Sequence, residues 1–586
     1  MNIKDALSTF QFHKKKAPPR QLTTVWGESL DPKHILDEYP RPQLRRSAWV
    51  NLNGWWDYAI SAETQRPSKF DGKILVPFSP ESPLSGVQRT LMPDEYLWYH
   101  RTVSLSELPK KQRLLLHFGA VDQDCAVYWN GNPVDTHLGG YLSFTVDVTK
   151  YTRMGSNTLW VKVRDESDRS WKNRGKQKLN PGGMFYTAQS GIWQTVWMEW
   201  VPENHIHTLK LTPSLDDETL RLEVLTTGPC TKKVSVYEEG RLLLCQSFQR
   251  SAHTLSIPQP RPWSPESPFL YDLVIETDFD RIESYFAMRK FSAGADAKGL
   301  PRLFLNNQPY FQNGVLDQGY WPDGLYTAPS DDALIFDIQA MKDLGFNMIR
   351  KHLKIEPMRW YYHCDRLGMI VWQDMVNGGG RSLMTFLCYL PTALPFVTTH
   401  FKDSYYPLFS RTSKKGRLQW IRECRAAVEQ LYNCPCIGMW VPFNEGWGQF
   451  DALEITEKMK HWDSTRLIDH ASGWYDQKGG DVRSVHNYFR RLQVIPESRP
   501  YVISEYGGYT CHVAGHSHSD QVYGYRKFQT LLQFQKAFEK LQDEVRGLAE
   551  DGLAAAVYTQ LSDVEEEVNG LFTYDRKINK LNQERK

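Results

Sequence analysis

Two glutamates each end an apolar run. Glu445 closes Ile437-Gly438-Met439-Trp440-Val441-Pro442-Phe443-Asn444, and Glu505 follows Tyr501-Val502-Ile503-Ser504. A carboxylate in such a place must ionise or share a proton beside a hydrophobic wall, which is costly unless something uses it. Two of them facing one cleft could cut an acetal. One would attack the anomeric carbon, while the other protonated the departing oxygen and later activated water. Tyr488 ends a third run, Ser484-Val485-His486-Asn487, where its phenol could hold the attacking carboxylate in line. His352, Asp374, His486 and Trp474 stand near other run ends or in the loops after them, and are lesser candidates to touch a substrate.

Elements that end side by side must carry these groups. After about Gly294, strand-like and helix-like runs alternate, and eight strands can be placed at 310–315, 346–350, 369–374, 437–442, 466–470, 484–488, 501–504 and 554–558. Amphipathic runs at 331–344, with Ser330 as N-cap and Gly345 as stop, at 417–432 and at 525–548 read as helices. Eight β-then-α units in about 290 residues have the size and rhythm of a (β/α)8 barrel, whose functional groups gather at the carboxyl ends of its strands. The stretch 378–414 is an oversized loop after the third strand and is expected to shape the site. The acidic run Asp563-Val564-Glu565-Glu566-Glu567 follows the eighth strand on the same face. One of its carboxylates could bind sugar hydroxyls or a cation, or the run could be a solvated or arginine-paired loop.

Upstream, the pattern is short alternations broken by turn signals. Cys125-Ala126-Val127-Tyr128-Trp129 before Asn130-Gly131 is one example. Residues 47–201 read as a jelly-roll β-sandwich and 202–292 as an immunoglobulin-like one, after an N-terminal extension 1–46 and before a barrel at 293–586. The fold class is thus multidomain β plus α/β.

Composition narrows the function. Among 586 residues, 70 Lys plus Arg nearly balance 68 Asp plus Glu, so nucleic acid is not an expected partner. No window approaches a membrane span, and the N-terminal stretch lacks the apolar core of a secretory signal, so a cytoplasmic protein is expected. Nine cysteines offer one close pair, Cys434 and Cys436, without a second to complete a zinc spacing. No gathered His/Asp/Glu spacing demands a metal, and no cofactor is expected. Aromatics reach 13%, which suits a β-rich core and also the stacking of pyranose faces on indole or phenol rings.

The chain resembles glycoside hydrolase family 2, the group of β-galactosidases, β-glucuronidases and β-mannosidases. The motifs that carry the likeness are Arg41-Pro42-Gln43-Leu44 through Gly54-Trp55-Trp56, Trp129-Asn130-Gly131, Gly139-Gly140-Tyr141, Ser190-Gly191-Ile192-Trp193-Gln194, Phe286-Ala287-Met288-Arg289-Lys290-Phe291, Asn433-Cys434-Pro435 through Asn444-Glu445, and Glu505-Tyr506-Gly507. The resemblance implies a retaining, exo-acting β-glycosidase whose partner is an oligosaccharide or glycoside. Glu445 would be its acid/base, Glu505 its nucleophile, Asn444 the contact to the sugar 2-hydroxyl and Tyr488 the nucleophile's partner. Similar enzymes are often homo-oligomers. Two departures bear on the sugar. Arg350 is followed by Lys351-His352-Leu353-Lys354 rather than two small residues and His-Tyr-Pro, and Glu567-Val568-Asn569 stands where glucuronidases carry Asn-x-Lys. A Glu in place of a cationic grip would repel a uronate. Trp372-Gln373-Asp374 resembles the mannosidase branch. By its frequency within the family, a β-galactosidase-like specificity leads. Mannosidase, arabinosidase, glucosidase and glucuronidase specificities stand behind it, as does a carbohydrate-binding protein without catalysis.

Overall fold

The structure, a computed structural model, describes residues 19–582. Its first sandwich has a six-stranded antiparallel sheet in the spatial order Gly72–Val76, Gly54–Ser61, Tyr96–Leu105, Gly155–Arg164, Asp124–Trp129, Asn132–Leu138. A second sheet contains Trp49–Asn51, Val196–Pro202, Gln112–Phe118 and Phe144–Asp147. Alternation drives the packing. In Asp124–Trp129 every second side chain, Cys125, Val127 and Trp129, is buried, as a strand with one wet face requires. Asn130 and Gly131 both have positive φ (51° and 80°), the primed turn that matches the twist of a hairpin.

Three strands (Ile206–Ser214, Thr219–Thr226, Ala252–Ser256) and four (Arg241–Phe248, Lys232–Glu238, Tyr271–Thr277, Arg281–Phe286) make the second sandwich. The Pro-rich stretch 257–263 is a loop of this sandwich that ends in buried Trp263, whose indole N–H donates to the Asp365 carbonyl at 2.7 Å. A buried clasp ties both sandwiches to the segment before them. Glu199 of the first accepts from Arg41 (3.0 Å) and Arg46 (3.0 Å), and Arg46 also pairs with Asp280 of the second (2.7 Å). Burial raises the Glu199 carboxyl, but Arg41, His117 and Arg46 together hold it well below the usual range. We propose domain limits of 47–201, 202–292 and 293–586 on this distribution of strands.

The barrel strands are β1 Gln312–Asp317, β2 Met348–Lys351, β3 Ile370–Asp374, β4 Ile437–Val441, β5 Leu467–Ile468, β6 Arg483–Asn487, β7 Tyr501–Gly507 and β8 Leu553–Thr559. All eight fall where the alternation places them, and neighbours pair in parallel in the order β5-β4-β3-β2-β1-β8-β7-β6. The sheet closes between β5 and β6 without a ladder. The Asp481 N–H donates to the Ile468 carbonyl (2.8 Å), and the Ser484 and Ser472 hydroxyls reach Ser504 at 2.6 and 2.9 Å. The helices are α1 Asp331–Asp343, α2 Met358–Leu367, α3 Lys414–Leu431, α4 Ala452–Trp462 and α5 Leu531–Glu550. Ser330 caps α1 by accepting from the Ala333 N–H, and α5 starts at Leu531 rather than 525 because Thr530 supplies its cap. Within the long loop after β3, short helical turns at Thr385–Tyr389, Leu390–Ala393 and Pro395–His400 take the place of irregular chain. There Leu387 and Phe409 pack on Tyr475 beyond β5.

Candidate functional site

Backbone irregularities aim the two glutamates. The path of β4 continues past Val441 through a bridge between Asn444 and Ser472, and the Glu445 N–H donates to the Ser472 carbonyl at 2.9 Å. Glu445 itself sits in the left-handed region with φ 51°, an uncommon conformation for a non-glycine residue and one often found at functional sites. In β7 the register against β6 shifts by one residue. Val485 pairs with Ile503, but His486 pairs with Glu505. Such a bulge re-aims a side chain without ending the strand.

The carboxylates converge. Ligand atoms of Glu445, His486 and Glu505 all lie within 4.8 Å of one another. His486 Nδ1 is 2.9 Å from Glu445 Oε1, and its Nε2 lies 3.5 Å from Glu505 Oε1 and 3.2 Å from the Ser472 hydroxyl. Glu445 keeps 16% of its side chain exposed and Glu505 5%, so both open to the cleft from a nearly dry wall. Burial pushes the Glu445 carboxyl up, but His486 by hydrogen bond and charge, then Lys176 and Arg350, bring it below the ordinary value.

Arg350, the last apolar-strand oddity of β2, organises the floor. It is fully buried and pairs with both Asp374 oxygens (2.9 and 3.1 Å). The same guanidinium donates to Glu505 Oε1 (3.2 Å) and to Asn444 Oδ1 (2.8 Å). Burial disfavours its charge, yet Asp374 and Glu505 more than compensate and raise it above its ordinary value. The bond to Asn444 fixes the amide so that its nitrogen is left to donate. Tyr488, one residue past β6, donates to Glu505 Oε2. Its phenol is pushed far above the ordinary value by burial and by the neighbouring Glu505 and Glu445, so it remains a donor. Its ring stacks on Tyr525 at 4.2 Å.

Four lesser candidates divide. His352 lies past β2 with Nδ1 2.7 Å from Asp374 Oδ2 and a buried Nε2 that has no partner. Burial above all drives its pKa far down, so the ring is neutral and Nε2 is an acceptor. Trp474 is half-buried, its ring 5.2 Å edge-on from His486. Asp374 is not placed as a sugar contact. It is wholly buried with both oxygens engaged by Arg350 and His352. His486 likewise points at the carboxylates rather than away from them, and its side chain is fully covered. The acidic run is neither solvated nor open. Asp563 pairs with Lys580 (2.6 Å), Glu565 accepts from the Thr187 N–H (2.8 Å), Glu566 accepts from the Gly183 N–H (2.8 Å), and Glu567 accepts from the Tyr186 hydroxyl and from Asn569 (3.0 Å). It docks the barrel onto the first sandwich.

The sequence reading did not single out Arg350 as a site residue, although a charge ending an apolar strand was the signal that found Glu445 and Glu505. Lys176, Tyr525 and Ser472 carry no comparable signal, because loops bring them in. Spacing along the chain also did not foresee that Glu445, His486 and Glu505 form a constellation able to hold a cation. The Arg350 guanidinium against Glu505 already supplies positive charge there.

Known proteins share the domains of this chain. Residues 86–202 match the glycosyl hydrolases family 2 sugar binding domain, 204–289 the glycosyl hydrolases family 2 domain, and 302–586 the glycosyl hydrolases family 2 TIM barrel domain. The chain belongs to glycosyl hydrolase family 2. A putative β-glucuronidase of Formosa agariphila is 23% identical over 459 residues, covering 74% of this chain and 52% of that protein. A β-galactosidase of Thermoanaerobacter pseudethanolicus is 21% identical over 467 residues, covering 74% and 57%. The chain thus spans about half the length of these curated relatives. Among solved structures, a β-glucuronidase of an uncultured Clostridium sp. superposes with a TM-score of 0.73 at 17% identity, covering 92% of this chain and 97% of that one. The β-D-glucuronidase of Dictyoglomus thermophilum gives 0.71 at 18%, covering 93% and 97%. At such identities the likeness is one of fold.

Proposed function

We propose that this family 2 chain is a retaining, exo-acting β-glycosidase. The observation that carries the reading is the convergence of Glu445 and Glu505, with ligand atoms within 4.8 Å. That spacing suits direct attack, whereas inversion needs carboxyls about 6.5–9.5 Å apart to admit a water. Glu505, aligned by Tyr488 and Arg350, attacks the anomeric carbon as Glu445 gives its proton to the glycosidic oxygen. The glycosyl ester so formed removes the charge of Glu505. With that charge gone, Glu445, now a carboxylate, stays ionised and takes a proton from the water that releases the sugar. Before the first step its proton can be held along the 2.9 Å hydrogen bond to His486. Asn444, turned by Arg350, donates to the sugar 2-hydroxyl. Among the described residues no helix is long and apolar enough to cross a membrane. The eight described cysteines are all free, which supports a reducing, cytoplasmic setting.

The test is the stereochemistry of the first product. With an aryl β-glycoside that the protein cleaves, proton NMR should show the β-anomer of the sugar before mutarotation, and Glu505→Ala should fold normally without turnover. An α-anomer first, or a folded Glu505→Ala variant at full rate, would overturn the assignment.

A further inference from the structure

We propose that Lys176, carried into the barrel mouth by a loop of the first sandwich, is the recognition cation for an anionic substituent on the sugar, as in a uronide. This rests on the glycosidase reading above and adds the class of sugar.

The loop is built to hold a position. The Arg174 guanidinium donates to the Gly379 carbonyl beyond β3 at 2.8 Å. Gly175 donates to the Tyr141 hydroxyl (3.0 Å). A Cβ on Gly175 would come within 2.4 Å of the Tyr326 hydroxyl and 3.3 Å of the Leu353 carbonyl, so the chain lies directly on the residue next to His352. On the other side, Gln177–Lys178 pairs with Tyr186–Thr187, and Tyr186 and Thr187 are fastened to Glu567 and Glu565 beyond β8. Lys176 is therefore held between the end of β2 and the loop after β8. Its ammonium lies 6.0 Å from the centre of the Tyr186 ring, and its charge acts on both Glu445 and His352.

Other cations near the cleft floor are committed. Arg350 serves Asp374, Glu505 and Asn444, and Lys354 donates to the Gly319 and Tyr326 carbonyls beside Glu356. The Lys176 carbonyl accepts from the Tyr186 N–H at 2.9 Å, while its ammonium makes no hydrogen bond or ion pair with any described residue. An ammonium without a carboxylate of its own, on a loop held between the end of β2 and the loop after β8, is a donor available to an anion. His352 Nε2 complements it as a buried acceptor without a partner, suited to a sugar hydroxyl. Glu567 is turned to partners of its own. One of its oxygens accepts from the Tyr186 hydroxyl and the other from Asn569 at 3.0 Å.

The experiment compares kcat/KM for nitrophenyl β-glucuronide, β-galacturonide and a 6-sulfated β-galactoside with the neutral glucoside and galactoside. The wild type should prefer at least one anionic member over its neutral parent, and which one separates carboxylate from sulfate. Loss of one charge-assisted hydrogen bond in Lys176→Gln should shrink the anionic-to-neutral ratio by about 10- to 100-fold, and Lys176→Arg should restore part of it. A wild type that prefers the neutral parents, or a Lys176→Gln variant that leaves the ratio unchanged, overturns the inference and leaves the glycosidase reading standing. If neither class is cleaved, nor an aryl β-mannoside or α-L-arabinoside, the glycosidase reading fails. Calorimetry of free glucuronate and galacturonate against glucose and galactose then decides the anion preference, Lys176-dependent uronate binding supporting it and its absence ending it.

Discussion

Tyr488→Phe isolates one atom of the site. The ring stays, still stacked on Tyr525 at 4.2 Å, so the fold should be undisturbed. The hydroxyl that donates to Glu505 Oε2 disappears. Glu505 Oε1 keeps Arg350 at 3.2 Å and His486 at 3.5 Å, but Oε2 loses the protein donor that fixes its direction. A hydrogen bond to an ionised group contributes about 1.5–3 kcal/mol. If alignment for attack depends on it, kcat should fall about 10- to 150-fold, at a tenfold change per 1.36 kcal/mol. The assay is steady-state kinetics on a cleaved aryl β-glycoside, with circular dichroism and thermal midpoint as controls. Because the hydroxyl's partners are the reacting carboxylate and, at 3.4 Å, Thr559, the loss should appear in kcat more than in KM. A folded variant within twofold of wild-type kcat, or one altered only in KM, would refute the claim that this phenol aligns the nucleophile.

Two other expectations concern stability. Glu199→Gln takes the shared carboxylate from half-buried Arg41 and from buried Arg46, which keeps Asp280, and should cost about 1–3 kcal/mol and lower the first thermal transition measured by calorimetry. An unchanged transition would mean that the clasp contributes nothing net. Burial lowers the His518 pKa to about 4, against about 6.5 in an unfolded chain. Between those values the unfolded chain binds the extra proton, so stability rises with pH through that window and is lost as pH falls from about 6.5 to about 4. In His518→Phe this loss is absent, so the midpoint difference, variant minus wild type, should grow in the variant's favour from pH 7 to pH 4.5. A constant difference would show that the fold does not hold His518 neutral.

Much of the fold was legible in the residues because periodicity is a local property. Period-two runs with Asn130-Gly131 as a turn specify sandwich strands, and eight apolar runs separated by amphipathic ones specify a barrel. The same local logic exposed Glu445 and Glu505, since charge at the end of an apolar strand is expensive wherever it occurs. Arg350 obeyed that logic too. Asp374 was a lesser candidate for a sugar contact, and position at a strand end does not say which way a carboxylate turns. Only the packing shows that its oxygens go to Arg350 and His352.

What the tertiary structure decided lies between elements far apart in the chain. A one-residue shift of β7 against β6 sets Glu505 beside His486. Contact between Tyr186 and Glu567, separated by 381 positions, turns an acidic run into a docking seam. The sequence by itself settles which segments are strands and where charge is costly, because those depend on neighbours one to four residues away. Which charges meet, and which one is left without a partner, depends on how the domains close on each other, and no local pattern encodes that.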